Sequence, residues 1–214
     1  AHNIIVSALT KQSDVAWAVG TAAGGLDTGA VGNSDYYIWA IKRSDTGVCD
    51  ILFSLSSTAP TMPTNYDFKR LIGWFKRVGG TIVGFKTYEI EGGGIEMDWD
   101  APTLDINLSN TLTTARRTDA VKVPLNFSIV AILRITVFDA AVGGGAVVCC
   151  PDETDAAPSA TAAPLSSLYS PSARVFREGE VRTSAAGLVA ARSEIATMDL
   201  YAVVTLGFKW ARRN

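Results

Sequence analysis

The sequence is poor in the residues that most enzymes use for nucleophilic chemistry. Its 214 residues include one histidine, His2, which lies at the extreme N-terminus, where chains are commonly loosely held. Serine and cysteine hydrolases need a base beside the nucleophile, and that base is almost always histidine. We therefore expect no catalytic triad, and we predict that the protein is not an enzyme.

Cysteine is also scarce, being present only as Cys49, Cys149 and Cys150. An odd number with a vicinal pair is not a disulfide framework, and no Cys-x-x-Cys or Cys/His spacing indicates zinc. Adjacent residues of a strand point to opposite faces, so Cys149 and Cys150 are not expected to act together. We interpret the three as small buried apolar residues and predict no metal and no cofactor. The sequence leaves open a disulfide from Cys49 to either of the others.

Neither sign of charge dominates, and no apolar run is long. The net charge is −2 at pH 7, and the pairs Arg116–Arg117 and Arg212–Arg213 are too few for a nucleic-acid-binding stripe. The longest stretch free of charged or strongly polar residues, 140–150, is far shorter than a membrane span. We expect neither a nucleic-acid partner nor membrane insertion. Hydrophobic residues make up 48% of the chain and charged residues 19%, which favours a packed core over disorder.

The dominant pattern is an alternation of apolar and polar side chains with a period of two. From Met198 to Trp210 the even-numbered positions are the more apolar set, which predicts a long strand that buries that set. The alternating run 36–42 is followed by the polar turn 44–47 and then by 51–55, which predicts a β-hairpin. Further strand candidates, rich in β-branched and aromatic residues, are 71–75, 81–90, 104–108, 121–138 and 146–150.

These strands define the predicted fold class. Residues 183–195 also contain helical spacing, but Gly187 and the β-branched Val189 weaken a helix, and we predict a strand there. Residues 151–171 hold four prolines among Ala, Ser and Thr and are predicted to form a long surface loop that sustains no ladder. We expect an all-β fold with little or no helix, an antiparallel β-sandwich or jelly roll, as a single domain over 1–214.

The tripeptide Asp-Thr-Gly, which is similar to the catalytic loop of aspartic proteases, occurs twice. It begins at Asp27 and at Asp45, and two carboxylates that share a proton would be the mechanism. However, Asp27 follows two glycines instead of an apolar strand, and eighteen residues cannot place the loops of two lobes face to face. We therefore interpret both motifs as turns.

Glu96, Asp98 and Asp100 alternate with Met97 and Trp99, so in a strand the three carboxylates share one face. Such a face could bind calcium or supply the acid and the nucleophile of a glycosidase. A solvated strand face is the simpler interpretation, because charged side chains normally point to water. A second acidic cluster, interpreted in the same way, lies on the predicted loop at Asp152, Glu153 and Asp155.

Aromatic residues are the remaining resource for binding, with five tryptophans and six tyrosines. The alternation predicts that Trp39 and Trp210 point inward. Trp74, Tyr88 and Trp99 are less determined by the pattern. Aromatic faces with nearby carboxylates are used by polysaccharide-binding surfaces, so these three are candidate ligand contacts.

Residues 14–77 contain a block of motifs that resembles a known group of proteins. In chain order the motifs are WAVGT at 17–21, GGLDTG at 24–29, DTG at 45–47, LFS at 52–54, APTMP at 59–63 and KRLIG at 69–73. The block resembles a domain common in bacteriophage and prophage virion proteins, especially tail-fibre and related structural proteins. The runs at 151–158 and 205–208 are similar to that group as well. These motifs are structural, and no catalytic residue comes with them.

The resemblance implies a virion structural protein, a module of a tail fibre or surface fibre that serves attachment or host-surface recognition. A capsid decoration (cement) or head-fibre protein is the alternative. A more remote alternative is a polysaccharide-degrading virion enzyme that uses two of Glu96, Asp98 and Asp100. The implied partners are further copies of the chain, a homotrimer being favoured, other virion proteins and host-surface polysaccharide. The implied location is the virion, and the chain can be one part of a longer virion protein.

The chain departs from this group after Gly73. Members of the group usually have a polar residue there, whereas this chain has Trp74 and Phe75. We therefore expect this surface to meet another protein or an apolar ligand. The candidate ligand- or partner-binding residues are Trp74, Phe75, Tyr88 and Trp99.

Overall fold

The computed structural model describes residues 3–6, 8–141, 143–158 and 173–210, together with the backbone of 167–170. Over these residues the chain forms fifteen strands and no helix, which confirms the all-β class. In the same part of the chain, no helix could span a membrane. His2, Arg212 and Arg213 lie outside the described residues.

The chain divides into two compact units, Ala1–Val83 and Gly84–Asn214, whereas a single domain was the expectation. The boundary lies inside the predicted strand 81–90. At this point the backbone changes partners: the Val83 N–H donates to the Lys76 carbonyl at 2.9 Å, and the Gly84 carbonyl accepts from the Asp100 N–H at 3.0 Å. The apolar pattern continues across the boundary without a polar linker, so the sequence gives no sign of it.

The first unit contains a six-stranded sheet. Its strands are β1 (Lys11–Ala16), β2 (Ala23–Leu26), β3 (Asp35–Arg43), β4 (Cys49–Ser54), β5 (Tyr66–Val78) and β6 (Thr81–Ile82). The order across the sheet is β1-β2-β4-β3-β5-β6. β3 and β4 form the predicted hairpin, with Trp39 opposite Leu52. The pairs β1–β2 and β2–β4 are parallel, so β2 lies between β1 and β4.

The core of the first unit is aromatic. The Phe75 ring stacks on Tyr36 with centroids 5.3 Å apart and meets Phe53 edge-on at 5.3 Å. Trp39 is buried, as predicted, and its Nε1–H donates to the Ser56 carbonyl at 3.1 Å. Edge-on and offset-stacked pairs are the preferred geometries of aromatic rings, so these contacts stabilise the sheet beyond simple burial.

The second unit contains two sheets. Its strands are β7 (Phe85–Ile90), β8 (Gly94–Leu112), β9 (Arg117–Ala120), β10 (Val130–Phe138), β11 (Gly144–Cys149), β12 (Ser167–Ser170), β13 (Val175–Arg182), β14 (Leu188–Ser193) and β15 (Met198–Trp210). One sheet has the order β13-β10-β15-β8-β7 and the other the order β12-β11-β14-β9. All of these pairings are antiparallel.

β15 has the predicted bounds, but the predicted buried face is wrong over most of its length. The odd-numbered Tyr201, Val203 and Thr205 are fully buried, whereas the even-numbered positions from 200 to 206 and Trp210 are only half-buried. The pairing of β15 with β8 shifts register at three places. Each irregularity can exchange the two faces of a strand, because side chains alternate with a period of two. The alternation of apolar and polar residues therefore predicts the strand correctly but assigns its buried face to the wrong set of side chains.

The prediction of a loop over residues 151–171 is also wrong in part. Residues 151–158 form no strand, as expected, but Ser167–Ser170 pairs antiparallel with β11. The prolines of this region lie outside that tetrapeptide, so its backbone N–H groups are free to enter a ladder. Residues 159–166 and 171–172 lie outside the described residues.

Two other predicted strands are present over only part of their predicted length. The strand candidate 121–138 is a strand only over β10, and residues 121–129 are irregular. The candidate 183–195 contains β14, which confirms a strand over a helix there.

The three cysteines are free thiols in this structure. Cys150 is buried, as predicted, whereas Cys49 and Cys149 are half-buried. The Cys149 Sγ lies 3.6 Å from Nη2 of Arg116, but burial is the larger influence and raises the pKa of this thiol. Cys149 therefore lacks the lowered pKa of a reactive cysteine.

Candidate functional site

Three of the four predicted binding residues lie in the interior. Trp74 is 1% exposed, and Phe75 and Trp99 are also buried. Trp99 donates its Nε1–H to the Lys122 carbonyl at 3.3 Å and packs edge-on against Phe208. The adjacent residues Trp74 and Phe75 are both buried, so both faces of β5 are covered at this point. The prediction that these three residues form a binding surface is wrong, because their rings build the cores of their units.

Tyr88, the fourth predicted residue, is 50% exposed on β7. This strand is at the edge of its sheet, and Tyr88 lies opposite Glu96 of β8. The ring is available at the surface, but it lines neither of the clefts described below.

The acidic residues Glu96, Asp98 and Asp100 share one face of β8, as predicted, while Met97 and Trp99 point to the core. Lys209 approaches this face, with its Nζ 3.5 Å from a Glu96 carboxylate oxygen. Among the described residues, no group of three or more His, Cys, Asp or Glu side chains is placed to hold a metal ion. We therefore interpret these acidic side chains as a partly solvated strand surface, of which Glu96 is paired with Lys209.

The remaining acidic motifs have local structural partners. Asp155 accepts from Arg192 Nη1 at 2.7 Å and lies 3.9 Å from Arg116 Nε, so it joins two arginines at the surface. Asp27 accepts from the Thr61 N–H at 2.9 Å. Asp45 lies in a turn and accepts from the Thr46 N–H at 2.7 Å. These contacts stabilise loops and turns.

A cleft in the first unit brings together residues that sequence reasoning did not select. Its volume is about 450 Å³, within the usual range of small-ligand pockets. We call it the Trp17 cleft, and its lining residues are Trp17, Val19, Arg43, Val48, Pro63, Thr64 and Tyr66. Val19 and Val48 are exposed at the surface.

Trp17 is held rigidly, in the loop that follows β1. Its backbone N–H donates to the Leu26 carbonyl at 2.8 Å, and its indole Nε1–H donates to the Ile51 carbonyl at 3.0 Å. The ammonium of Lys11 lies 5.3 Å from the centre of the indole ring, within the range of a cation–π contact. The ring is therefore a preorganised wall of the cleft.

Tyr66 forms the floor of the cleft at the start of β5. The turn before it contains Asn65 at φ 65°, and the Tyr66 N–H donates to the Pro63 carbonyl at 3.1 Å. The ring meets Trp17 edge-on with centroids 5.1 Å apart. Tyr66 is only 4% exposed, yet its hydroxyl has no hydrogen-bond partner within the described part of the chain. A buried hydroxyl without a partner is unfavourable, and a bound molecule could satisfy it.

The environment keeps this phenol protonated. Burial is the largest influence and raises the pKa of Tyr66, and the negative charge of Asp50 raises it further. The Arg43 guanidinium opposes these effects but does not outweigh them. Tyr66 therefore presents a neutral O–H group, which can donate to a ligand oxygen.

Arg43 forms the charged side of the cleft, at the end of β3. It lies opposite Tyr66 in the ladder, with its guanidinium carbon 5.9 Å from the centre of the tyrosine ring. Its Nε and Nη2 donate to the two carboxylate oxygens of Asp45, at 2.9 and 2.6 Å. This hydrogen bonding holds the pKa of Asp45 well below its usual range. Arg43 is the one charged residue among those that line the cleft.

This arrangement is suited to binding. The residues that line the cleft include no carboxylate, thiol or imidazole that could act as nucleophile or general base. They provide an aromatic wall, an apolar rim, a hydroxyl donor and a guanidinium. Trp17 and Tyr66 are forty-nine positions apart, and their rings meet in a sheet in which β1 pairs with β2 and β2 pairs with β4, both in parallel. The motif block contains both residues, but no periodicity predicts that they meet.

A second, smaller cleft lies in the second unit. Its volume is about 190 Å³, and its lining residues are Phe127, Ser128, Ile129, Val130, Arg182, Lys209 and Trp210. Lys209 is ion-paired with Glu96 and Glu180. The only side chains with a buried, unpartnered N or O atom in the described part of the chain lie elsewhere. This cleft therefore lacks the group that marks the Trp17 cleft.

Comparison of the chain with protein-family models, with curated proteins and with solved structures gives no match. The chemistry of the Trp17 cleft must therefore be interpreted from its own side chains.

Proposed function

We propose that the protein is a bacteriophage virion structural protein of the tail-fibre or surface-fibre type that binds host-surface saccharide in the Trp17 cleft. The motif block at 17–73 supports the class, and the all-β fold agrees with it. The proposal includes no catalytic step. It places the chain in the virion, in a homotrimer with further copies of itself and in contact with other virion proteins.

The observation that carries the binding function is the unpartnered Tyr66 hydroxyl beside the fixed ring of Trp17. A sugar ring has an apolar C–H face and a rim of oxygens. The C–H face can pack on an aromatic wall, while a ring or hydroxyl oxygen accepts from a buried donor. The rim of the cleft is open to a surface saccharide at the exposed side chains of Val19 and Val48.

Binding of the purified chain to a panel of bacterial surface polysaccharides tests this function. We expect binding to one or more members of the panel, weakened about tenfold or more in Tyr66→Phe, which removes only the hydroxyl. Tyr88→Phe is the matched control, because it removes a tyrosine hydroxyl from the other unit and should leave binding unchanged. No binding to any polysaccharide, or binding that Tyr66→Phe does not alter, would reject the saccharide site.

Electron microscopy of particles with the chain labelled tests the virion class separately. Density on a tail or surface fibre, with a trimeric native mass, supports the proposal. A regular array on the capsid shell would replace it with the alternative, a capsid decoration protein. Particles that adsorb and remain stable without the chain would also contradict the attachment role.

A further inference from the structure

We infer that the Trp17 cleft selects a saccharide unit that carries a carboxylate, such as a uronic acid, and that Arg43 determines this specificity. The inference rests on the proposed saccharide-binding function. It concerns which sugar the cleft takes, and it can fail while that function stands.

The polar side chains of the Trp17 cleft are rich in hydrogen-bond donors. The Tyr66 hydroxyl is neutral and has no partner, so it is an unsatisfied donor. Arg43 can only donate, since a guanidinium has no acceptor. Carboxylate side chains are absent from the lining. The two strongest polar groups of the cleft therefore favour a ligand that is rich in acceptors.

Arg43 carries the only charge among the residues that line the cleft, and Asp45 neutralises this charge. The side chains of the pair are 30% and 46% exposed, and Asp45 does not line the cleft. Solvent screens an exposed ion pair, so Asp45 holds the guanidinium less strongly than it would in the interior. Asp45 occupies Nε and Nη2, whereas no hydrogen bond from Nη1 is present among the described residues. Arg43 can thus bind a second carboxylate through Nη1 while Asp45 stays bound to Nε and Nη2.

A neutral sugar and an acidic sugar would make different contacts with Arg43. A neutral sugar could satisfy Tyr66 and pack on Trp17, while Asp45 remained the ionic partner of Arg43. A carboxylate that accepts from Arg43 Nη1 adds an attraction between two opposite charges, which a neutral sugar oxygen lacks. The cleft should therefore prefer the acidic sugar.

Titration calorimetry with a matched pair of oligosaccharides tests this inference. One contains glucuronic acid, and the other has glucose at the same position, so the two differ by a carboxylate against a hydroxymethyl group. We expect wild type to bind the acidic member about tenfold or more tightly. The preference should weaken as salt concentration rises, because the pair is partly exposed.

Substitutions of Arg43 and of Asp45, which have opposite expected effects, separate specificity from folding. Arg43→Gln should abolish the preference for the acidic sugar, and Arg43→Lys should retain part of it through the point charge. Asp45→Asn removes the competing carboxylate while keeping a polar side chain of the same shape. It should tighten binding of the acidic sugar, which a merely structural role for the pair does not predict. Thermal melting of each variant verifies that it is folded.

The outcomes distinguish this inference from the function on which it rests. Equal binding of both sugars by wild type, still weakened by Tyr66→Phe, would overturn the role of Arg43 and leave saccharide binding intact. Weaker binding of the acidic sugar by Asp45→Asn would also overturn it. Binding of neither sugar, by a chain that binds no polysaccharide of the panel, would overturn both.

Discussion

Lys11 and Asp50 form an ion pair whose side chains are 2% and 1% exposed, with 2.9 Å between Nζ and Oδ1. Lys11 opens β1 and also donates to the Ala18 carbonyl at 2.6 Å, while Asp50 of β4 accepts from the Gly20 N–H at 2.9 Å. The pair thus holds the loop that carries Trp17 from both sides. The position of Trp17, and with it the shape of the cleft, therefore depends on this buried ion pair.

Lys11→Met should destabilise the first unit strongly. The substitution leaves Asp50 buried without a countercharge, and breaking a buried pair in this way costs about 3–5 kcal/mol. Arg134→Met is the matched control, because Arg134 and Glu178 form an exposed pair, for which we expect a loss within about 1 kcal/mol. Urea unfolding measures both. A loss for Lys11→Met no larger than that for Arg134→Met would show that Asp50 does not need its partner.

Tyr66→Phe should stabilise the protein while it weakens saccharide binding. The unpartnered hydroxyl is buried at a cost, so its removal should raise the free energy of unfolding by about 1 kcal/mol. Tyr36→Phe is the control in the same unit, because the equally buried Tyr36 hydroxyl accepts from the Gly32 N–H at 2.8 Å. That variant should lose about 0.5–1.5 kcal/mol, the usual net contribution of one hydrogen bond, because Gly32 is exposed and its N–H can bind water instead. A loss of stability in Tyr66→Phe would mean that its hydroxyl has a partner in the free protein.

The sequence predicts the strands of this fold better than the faces they bury. The hairpin of β3 and β4 and the full length of β15 follow from alternation and turn chemistry, which act locally. The buried face of β15 does not, because the register shifts against β8 depend on pairing between distant segments. The binding prediction failed for a related reason. Trp74 and Trp99 fit surface and core equally well until the covering strands are placed. Trp17 and Tyr66 lie on segments that no local pattern relates, so their contact depends on the pairing of distant strands.

Gly24→Ala should damage both the first unit and its cleft. A Cβ at Gly24 would lie 2.0 Å from the Ala16 carbonyl oxygen, a backbone atom that cannot rotate away. The Gly24 carbonyl also accepts from the Ala18 N–H at 3.0 Å, in the loop that carries Trp17. We expect a loss of about 1–3 kcal/mol or more in urea unfolding, together with weaker saccharide binding.

Gly32→Ala is the matched control for that substitution. A Cβ at Gly32 meets nothing within 4 Å, and its backbone does not adopt a positive φ. Alanine there should be neutral, or stabilising by up to about 1 kcal/mol through the unfolded chain. If both variants unfold at the same urea concentration, the close approach of β2 to the end of β1 does not constrain the fold.

Tyr201→Phe should make the protein less sensitive to alkaline pH. Tyr201 is fully buried in β15, and burial, followed by the negative charge of Asp119, raises its pKa far above the usual value of 10.0, with Arg117 opposing. Because the folded-state pKa is the higher one, the stability linked to this group is complete below pH 10 and is lost as the pH rises beyond it. The loss approaches about 1.4 kcal/mol per pH unit, since only the unfolded chain releases the proton there. Urea unfolding between pH 8 and 11 should therefore show a smaller decline in Tyr201→Phe than in wild type, with Tyr88→Phe, at an exposed site, as the control. Parallel declines in wild type and Tyr201→Phe would show that this phenol ionises equally in the folded and unfolded states.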